Sequence, residues 1–176
     1  MCTVTYLPKP SGFILTHNRD EAPSRSPQSI VRENKLDGNT LLFPRDKKAG
    51  GTWIATTRHG RTACLLNGAF VKHHHSPPYR RSRGLILLDF FEWAEPDDFF
   101  QLYDFEGVEP FTMLVFAQNK LSESSKLSEN SIPLVIEFRW DGQIRHLKNL
   151  PAHEAHFWCS STLYPPDMQV RREQIF

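Results

Sequence analysis

The chain lacks any apolar run approaching the ~20 residues that cross a membrane as a helix. Its start lacks a basic stretch followed by an apolar one, so no secretory signal is legible. A dominant charge is also missing. The 21 Lys and Arg stand against 20 Asp and Glu, a net charge of +1, which argues against a nucleic-acid-binding protein. Cysteine is scarce, with three copies. Without a secretory signal these read as reduced thiols, and the expected location is the cytoplasm. Gly50-Gly51 is not followed by Lys-Ser/Thr at the spacing of a phosphate loop. His73-His74-His75 has no Cys or acid nearby at zinc-like spacing. Neither a metal nor a cofactor is expected, and no internal repeat or long linker is present.

What remains is an ordinary globular composition, 39% hydrophobic and 23% charged, with 13 phenylalanines. Its 176 residues suit one domain burying roughly 70% of the unfolded surface. Residues 2–7 and 12–18 read as strands joined by a Pro- and Gly-containing turn. Short strands are expected at 29–31 and 40–43, then at 52–57 and 62–67 around His59-Gly60. Leu85, Ile86, Leu88, Phe90, Phe91 and Trp93 give 82–94 the spacing of a helix with a wide buried face. Glu95-Pro96 breaks it and starts a second helix through Tyr103, with Asp97 and Asp98 suited to its first turn. Strands follow at 111–117, 133–140, 143–147 and 157–160, the middle pair turning at Asp141-Gly142. The segment 118–131 reads as a polar loop, and a last helix begins near Pro165. Strands, two helices, strands and a helix, in that order, indicate an α+β layer fold with a largely antiparallel sheet.

Chemistry concentrates near the start. If Met1 is removed, Cys2 carries a thiol and a free α-amine whose pKa lies near ~8, a nucleophile and a base on one residue. The cluster His17-Asn18-Arg19-Asp20-Glu21 ends the next strand, and hairpin pairing returns it beside the chain start. Arg19 would then lower the thiol pKa, and Asp20 would hold or orient the amine. Cys64 and Cys159 lie in apolar strand-like segments and are expected in the core. Lys72, Arg80, Arg81 and Arg83 surround the histidine loop, either as a solvated patch or as an anion site for a phosphate, carboxylate or coenzyme tail.

Met1-Cys2-Thr3, His17-Asn18-Arg19-Asp20-Glu21, Gly50-Gly51-Thr52-Trp53, Leu66-Asn67-Gly68 and Ser82-Arg83-Gly84 occur in that order. With a weaker echo at Ser160-Ser161-Thr162-Leu163, they resemble the NRDE family, also called transport and Golgi organisation 2-like. That family is similar to N-terminal nucleophile hydrolases such as penicillin V acylases and bile salt hydrolases. The resemblance implies a four-layer αββα sandwich, over one domain spanning 1–176 that is expected to be either truncated at its C-terminus or a reduced variant. It implies Cys2 as nucleophile, Arg19 and Asp20 as partners and Asn67 as oxyanion donor. Asn18, Trp53, His74, Arg81, Arg83 and Ser161 are expected as binding residues. Ser160-Ser161-Thr162 stands where the hydrolases carry a second Asn, and a further late Arg has no counterpart. The activity implied is hydrolysis of a small amide or thioester. The alternative is a carrier that keeps the cleft for an amphipathic ligand such as haem or an acyl-lipid.

Overall fold

The computed structural model describes residues 2–19, 21, 30–34, 40–118, 133–162 and 166–174. Among the described residues ten strands form two antiparallel sheets. The first two strands, β1 (Thr3–Lys9) and β2 (Gly12–Asn18), are joined by a two-residue turn at Pro10-Ser11. They build a three-stranded sheet with β10 (His156–Cys159), in the order β10-β1-β2. The remaining strands form a seven-stranded meander in chain order. These are β3 (Ile30–Asn34), β4 (Thr40–Pro44), β5 (Ile54–Thr57), β6 (Thr62–Asn67), β7 (Phe111–Gln118), β8 (Pro133–Trp140) and β9 (Arg145–Leu150). Helices α1 (Arg83–Phe90) and α2 (Pro96–Leu102) lie between β6 and β7 in the chain, and α3 (Pro166–Glu173) follows β10. No helix among the described residues is long and apolar enough to cross a membrane.

The two-residue period of a strand sorts the core into two clusters. Ala63 and Leu65 of β6, with Met113 and Val115 of β7, pack against Ile86, Leu87 and Phe90 of α1 and Phe99 and Phe100 of α2. Their neighbours Cys64, Leu66, Leu114 and Phe116 face the other way, onto Val4 and Tyr6 of β1 and Trp158 of β10. The large sheet is therefore covered by α1 and α2 on one face and by the small sheet on the other. This explains why β6 and β7 are apolar on both faces. Tyr6 stacks on Phe116 with centroids 5.4 Å apart and donates its hydroxyl to the Ala152 carbonyl at 2.8 Å. Each such fully buried side chain contributes about 1.5–3 kcal/mol. The small sheet is thereby clamped onto the large one.

The element order matches the sequence expectation, and several boundaries move for local reasons. The first helix stops at Phe90 instead of Ala94. The Arg61 guanidinium takes the carbonyls of Trp93, at 2.6 Å, and of Ala94, drawing that segment out of the helix. β5 starts at Ile54 because Thr52 donates its N–H to the Gly84 carbonyl at 3.1 Å instead of to a strand. β9 starts at Arg145 because the Asp141 carboxylate accepts the N–H groups of Gln143 and Ile144, both at 2.8 Å, and keeps them in the turn. Cys64 is fully buried, but Cys159 is only half-buried. Cys159 pairs with Thr3, on the face of β1 opposite to Val4 and Tyr6, and so turns away from the inter-sheet core. The expected polar loop at 118–131 lies outside the described residues except for Gln118, which ends β7.

Candidate active site

The small sheet delivers the first two groups. Val4 and Tyr6 face the large sheet, so Cys2, two residues before Val4, shares that face. The register sets Thr3 opposite Asn18 and Val4 opposite His17. Carried one step outward, it sets Cys2 opposite Arg19. On its other side the Cys2 carbonyl accepts the Ser160 N–H at 3.0 Å. The start of the chain is thus held between β2 and the end of β10.

The large sheet delivers the facing wall. β6 ends at Asn67, whose carbonyl accepts the Ser160 hydroxyl at 2.8 Å, a bond that ties the ends of the two sheets together. Gly68 follows with φ +80°, and a Cβ there would stand 2.3 Å from the Ser161 hydroxyl. Glycine is thus required on both conformational and steric grounds. A second close approach joins the loop before β5 to the start of α1. A Cβ on Gly51 would meet the Gly84 carbonyl carbon at 2.4 Å, and one on Gly84 would meet the Thr52 oxygen at 2.8 Å. The Gly-Gly-Thr-Trp and Ser-Arg-Gly motifs are the two sides of this contact.

Between these walls lies a cavity of about 390 Å3, lined by Cys2, Arg19, Glu21, Asp46, Trp53, Asn67, Tyr79, Arg81, Ser82, Arg83 and Glu109 among others. Arg19 donates to Asp46 at 2.8 Å, lies 3.5 Å from Glu21, and stacks 4.2 Å over the Trp53 ring. Asp46 is buried and also accepts the N–H groups of Lys48 and Ala49, at 2.9 and 3.0 Å. Arg83 donates to the Pro110 carbonyl at 3.2 Å and pairs with Glu109 at 3.1 Å. The other oxygen of Glu109 meets His73 at 3.0 Å and His75 at 3.1 Å. Arg81 grips Asp89 with two donors, and Asp89 also accepts the Tyr103 hydroxyl at 2.7 Å.

These charges set the protonation of the site. Burial pushes the Cys2 thiol above its ordinary value. The N-terminal positive charge, Arg19 and Arg83 oppose that rise, and Glu21 adds to it. Burial would raise Glu109 as well, but Arg83 and the hydrogen bonds from His73 and His75 outweigh it and hold the carboxyl below its usual range. His17, on the same face of β2 as Arg19, is pushed down to about 4 by burial and by the Arg19 charge. Neither of its ring nitrogens has a partner among the described residues.

Of the residues singled out in the sequence, Cys2, Arg19, Trp53, Asn67, Arg81 and Arg83 line this one cavity. Asp20 lies outside the described residues. Asn18 is exposed and donates to the Thr3 hydroxyl at 3.4 Å, because the strand period turns it to the face opposite Arg19. His74 is exposed on the loop, and only its neighbours reach Glu109. Ser161 is buried behind Gly68 with its hydroxyl 3.5 Å from the Val71 carbonyl, as support for the end of β6. Of the remaining basic residues, Arg80 is tied to the carbonyls of Asp104 and Glu106. Among the described residues no group of His, Cys, Asp or Glu is arranged to hold a metal ion.

Sequence reasoning missed Asp46 and Glu109. Asp46 carries a readable local signal, an Asp whose carboxylate caps N–H groups two and three residues on, as in a turn. Glu109 carries none, since it meets Arg83 and the histidines only through the meeting of two distant loops.

A family model described as Transport and Golgi organisation 2 matches residues 1–145. Its span takes in Cys2, Arg19, Asp46, Asn67, Arg83 and Glu109 and stops in β9. No curated protein matches the chain.

Proposed function

The chain belongs to the Transport and Golgi organisation 2 family, and from that membership and the cavity at Cys2 we propose an N-terminal cysteine nucleophile hydrolase of small amides or thioesters. The observation that carries this reading is that Cys2 shares one cavity with Arg19, Arg83 and Asn67. In this reading Met1 is removed and the Cys2 α-amine takes the thiol proton. The thiolate, favoured by the Arg19 and Arg83 charges, attacks the substrate carbonyl carbon. The Asn67 amide and backbone N–H groups hold the oxyanion. The C–N or C–S bond breaks as the leaving group takes the proton, and water then hydrolyses the acyl-Cys2 thioester. Asp20 is assigned to holding the amine. The scaffold is read as one domain with four layers: α1 and α2, the large sheet, the small sheet, and α3 beside β10. It is assigned to the cytoplasm.

A second reading takes the same cavity as a binding site without chemistry. With Met1 in place the Cys2 nitrogen is an amide that takes up no proton near neutral pH, and the cavity then serves as a binding site for an amphipathic ligand such as haem or an acyl-lipid. Intact mass after exposure to p-nitrophenyl acetate separates the two. The hydrolase reading expects acetylation of Cys2, faster in chains without Met1 than with it. Equal rates with and without Met1 make Cys2 an ordinary thiol and leave the carrier.

A further inference from the structure

The charge pattern of the cavity wall limits what fits inside, and the limit on substrate class rests on the hydrolase reading above. Among the described lining residues three guanidiniums, Arg19, Arg81 and Arg83, stand with three carboxylates, Glu21, Asp46 and Glu109. The signs are not segregated. Arg19 pairs with Asp46 and Glu21 on one side, and Arg83 pairs with Glu109 on the other. Among the described residues, apolar lining comes from Ala49, Leu65, Trp53 and the Tyr79 ring, and the Trp53 ring has Arg19 over it.

An alkyl chain in this space would strip the remaining water from these ionic groups and return no hydrogen bond. A ligand of one net charge would be attracted by half of the wall and repelled by the other half. A ligand with opposite charges at its two ends gains at both, through charge-assisted hydrogen bonds to guanidinium and to carboxylate. Size points the same way, because 390 Å3 is near the low end of the roughly 300–1,000 Å3 range of ligand pockets. We propose that the substrate is a small amide of dipeptide size carrying an ammonium at one end and a carboxylate at the other. Its carboxylate meets the arginines flanking Cys2 and its ammonium meets Glu21 or Glu109.

Protection of Cys2 from iodoacetamide, read by intact mass on the full chain, tests the ligand class without requiring turnover. Glycylglycine is the zwitterion. N-acetylglycinamide is its neutral counterpart, N-acetylglycine the anion and octanoate the amphipath. Glycylglycine is expected to protect at a concentration roughly tenfold below the other three. In Glu109→Gln or in Glu21→Gln, each of which removes one negative charge, the preference should move toward N-acetylglycine. Protection by octanoate or N-acetylglycinamide as good as that by glycylglycine, or a ranking unchanged in both Glu109→Gln and Glu21→Gln, overturns the proposal. Acetylation by p-nitrophenyl acetate is scored separately. A Cys2 that acetylates without selective protection leaves the hydrolase and removes the zwitterion, and selective protection without acetylation does the reverse.

Discussion

Arg19 donates to Asp46 at 2.8 Å across 27 residues of chain. That bond joins the end of the small sheet to the loop before β5. Both side chains are nearly enclosed, at 14% and 7% exposed. The Arg19 guanidinium also lies over the Trp53 ring, 4.2 Å from its centroid. A lysine offers neither the fork nor the flat face, so the residue type follows from the geometry.

Removing the Arg19 charge strands the Asp46 carboxylate in a buried site. Arg19→Met is expected to cost about 3 kcal/mol in urea denaturation, the scale for breaking a buried pair. Asp46→Asn keeps an acceptor for Lys48 and Ala49 and should cost less. In the double variant the two losses should be clearly sub-additive. Strict additivity would mean that the pair contributes no coupling.

The contact between Gly51 and Gly84 gives a second expectation. A methyl group on Gly51 would approach backbone atoms at 2.4 and 2.7 Å, and no flexible side chain is there to yield. Gly51→Ala should destabilise by about 1–3 kcal/mol, the range for overpacking. It should also disturb Arg83, the residue before Gly84, and so slow any labelling that depends on the cavity. Thermal melting and iodoacetamide labelling of the same sample check both effects.

Much of this molecule was legible in its sequence, and what was not has a physical cause. β6 and β8 are read correctly to the residue, because β-branched and aromatic runs between turns are a local signal. Cys2 and Arg19 come together through a hairpin register that local pairing fixes. Trp53 and Arg83 enter through glycine motifs whose purpose, backbone contact, is visible only in three dimensions. Glu109 and Asp46 complete the charge pattern through contacts tens of residues apart, and no period or turn signal encodes such a contact. The exposed place of Asn18 is readable in hindsight. One residue along a strand turns a side chain to the opposite face.

The Cys2 thiol gives a pH expectation whose sign is fixed. Its ordinary value is 9.0, and the folded site raises it. In chains that keep Met1, the midpoint of iodoacetamide reactivity should therefore lie above 9.0. Arg83→Gln removes a lowering charge and should move the midpoint further up. Glu21→Gln removes a raising charge and should move it down. Freeing the Cys2 amine adds an inflection near ~8. Shifts of the same sign in the two variants would contradict the assigned surroundings of the thiol.

His17 sets the behaviour in acid. Its folded value of about 4 lies below the ordinary 6.5. The fold therefore favours the neutral ring, and the unfolded chain binds the proton more readily. Stability from this residue is fully present above pH 6.5 and is lost as pH falls through the window down to about 4. The loss by the lower end is on the order of 3 kcal/mol. Arg19, two residues further along the chain, opposes the proton directly, and neither ring nitrogen has a described hydrogen-bond partner. His17→Leu should keep an apolar group between the sheets and flatten this part of the profile. Urea midpoints of the natural chain and of His17→Leu, measured between pH 7 and 4, should diverge progressively, with the variant holding its stability. Parallel curves would mean that acid acts elsewhere, first of all on the Glu109 carboxyl, which loses its stabilising partners when protonated.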